Sequence, residues 1–189
     1  LVIAREGELQ SIEHLRSLYL VYLSQPRADR TVYQAIRRGP SQTILELGMG
    51  NGQRAVRMIA LATSQTGSAR VSYTGVDPFE ACDTPVLNLK AAYQQLRPTG
   101  VKLKLVPGMP MAVLPQVANG LGQFDLVVIS VDALTGQTPR AWFYLQRLLL
   151  PTSLVLLEEP ADGGQTAFRP LQVAEIEARS LTNRTRKAA

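Results

Sequence analysis

Between Glu46 and Gly52 the chain reads Glu-Leu-Gly-Met-Gly-Asn-Gly, with three glycines at alternate positions and a carboxylate two residues ahead of the first. A turn without Cβ atoms lets a ligand approach the backbone closely, and a helix starting just beyond it points unpaired N–H groups at the same place. Two kinds of nucleotide-bearing cofactor use such a loop, and spacing separates them. The dinucleotide fingerprint needs its third glycine three positions after the second, where this chain has Gln53; the glycine falls at Gly52 instead. A second chemical position is Asp77, which follows an apolar run and stands 25 residues beyond Gly52. That is near the roughly 20-residue interval at which a carboxylate meets ribose hydroxyls. An aspartate before Pro78 also suits a plain turn, so Asp77 taken alone supports either reading.

These residues need a frame, and hydrophobic periodicity supplies one. Leu9, Ile12, Leu15, Leu18, Tyr19, Tyr22 and Leu23 recur at spacings of three and four, the pattern of an amphipathic helix that ends near Pro26. A second helix, Asp29 to Arg38, carries Val32, Tyr33 and Ile36 on one face and stops at Gly39-Pro40. From there β-type runs alternate with helical stretches. The runs are Thr43–Leu47, Val71–Val76, Val101–Val106, Phe124–Ile129 and Leu154–Leu157; the helices are Gln53–Ser64, with Val56, Ile59, Ala60 and Thr63 on one side, then Val86–Leu96, Met111–Val117 and Pro139–Leu149. Alternation of this kind predicts an α/β fold with a doubly wound, Rossmann-like parallel sheet. In such sheets ligands bind beyond the carboxyl ends of the strands where strand order reverses, which is where Glu46–Gly52 and Asp77 fall.

The glycine loop and the acid after the second strand together resemble the cofactor-binding motifs of class I S-adenosylmethionine-dependent methyltransferases. The likeness runs from about Ser41 to Pro160, and LVPGMPMAVLPQV followed by FDLVVISVDA is similar in detail to O-methyltransferases of the catechol type. The resemblance implies the strand order 3-2-1-4-5. It also implies S-adenosylmethionine as cofactor, held by Glu46, Gly48, Met49, Gly50, Asn51, Gly52, Asp77, Pro78, Phe79, Gly108, Met109 and Ser130, with Phe79 packing on the adenine. Two departures matter. Met109 follows Gly108 where relatives carry an acidic or small polar residue, so contact with the base would be apolar. Ser130 stands where catechol-type enzymes place a magnesium-binding aspartate at the end of the fourth strand. Asp132, Glu158 and Glu159 lie nearby, but no metal site is expected. Asp132 is the candidate acceptor-side base, needing either a raised pKa or only an orienting role. His14, the only histidine, is a weaker candidate.

With 189 residues, 46% of them apolar, one domain is expected. Residues 1–40 would form N-terminal helices on the lid or substrate side, 41–160 the cofactor-binding core, and 161–189 a short extension with a basic tail. About 30 residues follow Leu157, room for a strand or loop near Phe168 and a helix near Val173 to Arg179. The usual final antiparallel hairpin is therefore expected to be absent or reduced. Cys82 is alone and no apolar run reaches the roughly 18 residues of a membrane span; a reduced, cytoplasmic setting is expected. The chain begins at Leu1 rather than methionine, which leaves open that residues precede it. Net charge is +5, but much of the excess sits at Arg179, Arg184, Arg186 and Lys187 without interleaved aromatic residues, so a nucleic-acid partner is not expected. The reading that results is a methyltransferase acting on a small-molecule acceptor without metal. Its alternative is a non-catalytic relative serving as an interaction domain.

Overall fold

The computed structural model describes residues 14–39, 41–82 and 85–181. Helices α1 (14–22) and α2 (Asp29–Arg38) come first. Then follow β1 (Thr43–Leu47), α3 (Gln53–Thr66), β2 (Ser72–Asp77), α4 (Leu89–Leu96), β3 (Lys102–Pro107), α5 (Pro110–Val117), β4 (Phe124–Ile129), α6 (Pro139–Arg147), β5 (Leu149–Pro160), β6 (Thr166–Pro170) and α7 (Val173–Leu181). All six strands form one sheet in the order β3-β2-β1-β4-β5-β6. The first five run parallel and β6 returns antiparallel to β5, with Glu158 opposite Phe168. The expected 3-2-1-4-5 order is present, and the terminal hairpin is reduced to a single antiparallel strand.

Successive strand residues point to opposite faces, and both faces are covered. Ile44, Tyr73, Leu126 and Val128 pack with residues of α2, α3 and α4, while Leu45, Leu47, Val127 and Ile129 pack with residues of α5, α6 and α7. Glu46 shares the face of Ile44 and is completely buried. Each large apolar side chain buried in these layers stabilises the fold by about 1.5–3 kcal/mol.

Local chemistry fixes where elements start. The Asn88 side chain accepts the Ala91 N–H at 2.7 Å and that of Thr138 accepts the Ala141 N–H at 3.2 Å, with Pro139 at the first helical position. Asp125 at the start of β4 accepts the N–H groups of Gln42 and Thr43, both at 2.9 Å, and so sets the register of β1 against β4. The ends of that strand pair flank the reversal of strand order.

Four expectations require correction. The helix at the N-terminus turns Leu15, Tyr19, Tyr22 and Leu23 outward, each more than half exposed, and buries Leu20 and Val21 instead; Leu9 and Ile12 lie outside the described residues. On α3 the buried stripe is Ala55, Met58, Ile59, Leu61 and Ala62, rotated from the expected face because α2 packs against this side. Helix α4 starts only at its Asn88 cap, not at Val86. Strand β5 is 12 residues long rather than four: at its start Ser153 Oγ takes the N–H of Leu150 at 2.6 Å and donates to the Phe124 carbonyl at 2.5 Å, and at its end Glu158, Glu159 and Pro160 pair with β6.

Candidate functional site

The glycine loop leaves β1 with Gly48, Gly50 and Gly52 all at positive φ. Between them Met49 turns inward, 2% exposed, and lays its thioether over Gly75 of β2, where a Cβ would overlap it. At Gly50 the opposite holds: φ is +57° and a Cβ would meet nothing within 4 Å. Bare backbone therefore faces open space. A nucleotide-bearing ligand needs such a surface, and the residues present fit one.

That space is a cavity of about 560 Å³, within the range of small-molecule sites. The glycine loop, the ends of β2 and β4, the Met109-Pro110 turn and the segment joining α1 to α2 enclose it. Of the residues expected at the site, Gly48, Met49, Gly50, Asn51, Asp77, Pro78, Met109, Ser130 and Asp132 line it. Glu46, Gly52, Phe79 and Gly108 do not. Glu46 sits beneath the loop, Gly52 abuts Leu87 and Gln95, and Phe79 is 1% exposed within the core. His14 is exposed and away from the cavity. Among the described residues no group of three His, Cys, Asp or Glu side chains is placed to hold a metal ion.

Asp77 does more than end a strand. Its Oδ2 accepts the N–H of Met49 at 2.7 Å and of Gly50 at 3.3 Å, and its Oδ1 accepts the N–H of Phe79 at 3.1 Å. A carboxylate offers about four lone-pair sites, so one on Oδ1 remains for a ligand. The aspartate staples the glycine loop to β2, a role that neither the ribose reading nor the turn reading contained.

Beneath the loop lies a charged cluster that the sequence did not disclose. Arg54, in the first turn of α3, donates to Glu46 Oε1 at 2.7 Å, to Asp29 Oδ1 at 3.4 Å, to the Gly48 carbonyl at 2.8 Å and to Ser130 Oγ at 2.5 Å, and its guanidinium lies 5.2 Å from the centre of the Phe168 ring. Ser130 Oγ also donates to the Gly48 carbonyl at 2.8 Å. The Tyr73 hydroxyl donates to the other oxygen of Glu46, and that of Tyr33 to Asp29 at 3.3 Å. Burial pushes the Glu46 and Asp29 carboxyls above the usual range, against the opposing pull of Arg54. No buried side-chain nitrogen or oxygen lacks a partner among the described residues.

Asp29, Arg54, Arg57 and Glu158 line the cavity and belong with its chemistry. A signal for two of them existed. Asp29 precedes Val32, Tyr33 and Ile36 by three, four and seven residues, and Arg54 precedes Met58, Leu61 and Ala62 by four, seven and eight. Charges in register with a buried stripe are charges that must be paired.

No family model and no curated protein sequence matches this chain. Solved structures do. The O-methyltransferase TomG of Streptomyces achromogenes, involved in tomaymycin synthesis and solved with S-adenosylmethionine, superposes with a TM-score of 0.55 at 18% identity over 76% of this chain and 60% of its own. An O-methyltransferase of Bacillus cereus in complex with S-adenosylhomocysteine gives 0.56 at 14% identity over 84% and 68%. Precorrin-6y C5,15-methyltransferase of Geobacter metallireducens gives 0.52 at 14% identity over 75% and 66%. The chain thus spans 60–68% of the length of these proteins. At such identities the likeness is one of fold: this chain has the fold of the class I methyltransferases, with their strand order.

Proposed function

We propose that this chain is an S-adenosylmethionine-dependent methyltransferase acting on a small-molecule acceptor without a metal ion. The observation that carries the reading is the open backbone at Gly50 beside the Asp77 carboxylate, in one cavity at the reversal of strand order. S-adenosylmethionine supplies a methyl group already activated on a sulfonium, so the protein has to align an acceptor and manage a proton.

The residues divide that work. Gly50 and Asn51 offer main chain to the cofactor, the remaining lone pair of Asp77 accepts a ribose hydroxyl, and Met109 and Pro110 give the base an apolar surface. Pro26 and Asp29, from the segment ahead of the sheet, form the acceptor side. Asp132 remains the acceptor-side group expected from sequence, and Asp29 joins it. Burial holds the Asp29 carboxyl above its ordinary value of 3.8, the direction a base working near neutral pH requires. Independence from metal is supported by Ser130, which brings no carboxylate to the end of β4 and whose Oγ is already engaged by Arg54 at 2.5 Å and by the Gly48 carbonyl at 2.8 Å.

The test is transfer of a labelled methyl group from S-adenosylmethionine to a panel of small hydroxyl and amine compounds, with and without EDTA. Transfer that is unchanged by the chelator is the expected result. Loss of transfer on chelation, restored by magnesium, would overturn metal independence. Cofactor binding without transfer to any small molecule would favour the interaction-domain reading.

A further inference from the structure

Two guanidinium groups line the cavity, one helical turn apart on α3, and they are in opposite states. Arg54 is committed to the protein through Glu46, Asp29, the Gly48 carbonyl and Ser130. Arg57 donates from Nη1 to the Gln25 carbonyl at 2.7 Å and interacts with the Tyr33 hydroxyl. It makes no ion pair with any described residue. Asp29 is engaged by Arg54 and Tyr33 rather than by Arg57. A guanidinium has five N–H donors in a planar fork that matches a carboxylate, and most of those on Arg57 have no acceptor among the described residues. The first turn of α3 faces the same end of the cavity, so the partial positive charge of the helix N-terminus adds to that of the side chain.

Asp77, Pro78, Met109 and Pro110, the walls assigned to the adenosine, come from the end of β2, the turns after β2 and β3, and the start of α5. Arg57 rises from the face of α3 that meets α2, together with Pro26 and Asp29. We propose that Arg57 is the carboxylate-binding residue of this cavity, receiving the α-carboxylate of the cofactor's methionine half. The assignment rests on the methyltransferase reading and adds the residue that distinguishes the complete cofactor from one lacking this carboxylate. Arg54 cannot serve in its place without giving up an existing bond, since one N–H at Nη1 is all it has left.

The experiment is a double cycle by calorimetry. S-adenosylhomocysteine and its decarboxylated analogue are titrated into the wild-type protein, Arg57→Ala and Arg57→Lys, with the melting temperature of each free variant recorded. A charge-assisted contact of this kind corresponds to about tenfold or more in affinity. Wild type should therefore bind S-adenosylhomocysteine about that much more tightly than the analogue. Arg57→Ala should abolish the ratio by weakening S-adenosylhomocysteine alone, and Arg57→Lys should restore part of it. Melting temperatures should stay together, because Arg57 is half-buried and makes no ion pair within the described chain. A ratio that persists in Arg57→Ala, or equal weakening of both ligands, would overturn the assignment while leaving the methyltransferase reading in place. Failure of both ligands to bind wild type would remove both readings.

Discussion

Arg54 and Arg169 each hold two carboxylates, Glu46 and Asp29 in the interior and Glu159 and Glu175 at the surface, and the better geometry belongs to the outer set. Arg169 meets Glu159 through two bonds of 2.6 and 2.9 Å and Glu175 through two of 2.9 and 3.0 Å. Arg54 reaches Asp29 only at 3.4 Å. Yet the side chains around Arg169 are 38–39% exposed, whereas those around Arg54 are at most 12% exposed. Water screens the outer cluster, so its short contacts translate into little stability. The inner cluster has lost its hydration and stands only while every member is present. Carboxyl ionisation reports the difference. Burial raises Glu46 and Asp29, while hydrogen bonds from Arg169 lower Glu159 and Glu175. The inner set also lies beneath the glycine loop and holds the Gly48 carbonyl, so its integrity is a condition of the site.

The largest effect is expected from Arg54→Met, which leaves two carboxylates buried without a cation and should cost about 3–5 kcal/mol at neutral pH. Raised folded pKa values mean that the folded protein takes up protons more readily than the unfolded chain. The contribution of Glu46 and Asp29 is thus most favourable below their ordinary values of 4.5 and 3.8 and is lost as pH rises through the raised ones. Accordingly, the penalty of Arg54→Met should shrink as pH falls toward 4.5. Urea unfolding of both proteins at pH 7 and in acid checks this, and a penalty independent of pH would mean that the carboxylates are not its source.

Next in size is Asp77→Asn. Were Asp77 only a ribose ligand, the amide would lower cofactor affinity and leave the free protein untouched. Because both of its oxygens already accept main-chain N–H groups, the amide nitrogen must face a donor. Stability of the free protein should then fall by about 1–3 kcal/mol along with affinity. An unchanged melting temperature with weakened cofactor binding would restore the simpler ribose role.

How far the sequence could be read follows the same division. Helix α2 was expected over the residues it occupies, and the glycine loop and Asp77 emerged from spacing because they obey local rules of turns and strand ends. Arg57 did not, and Asp29 and Arg54 showed only as charges in register with a buried stripe, since what these residues meet depends on which turn of α2 faces which turn of α3, a tertiary fact. The same holds for Asp77: the motif marks the carboxylate but not how many of its lone pairs the fold uses. Phe79 was expected against the adenine, yet Asp77 holds its N–H and directs the ring into the core. The outward face of α1 is a further case, because periodicity marks an apolar stripe without saying what covers it.

The smallest effect belongs to Arg169→Ala. Glu159 and Glu175 are lowered below their ordinary value of 4.5, so whatever stability this cluster contributes is present above that value and is lost as pH falls through the lowered ones. The difference between wild type and Arg169→Ala should be slight at neutral pH, slighter still in high salt, and gone in acid. Both differences thus shrink in acid, and what separates the two clusters is the size of the loss at neutral pH. A loss comparable to that of Arg54→Met at neutral pH would show that exposure does not separate the two clusters.

The central claim is that the loop from Gly48 to Gly52, stapled by Asp77, holds S-adenosylmethionine rather than a dinucleotide. Calorimetric titration of the wild-type protein with S-adenosylhomocysteine, matched against NAD under the same conditions, tests it most directly. One-site binding of S-adenosylhomocysteine and no heat of binding from NAD is the predicted result. Binding of NAD, or no binding of S-adenosylhomocysteine at millimolar concentration by a protein that unfolds cooperatively, would contradict it.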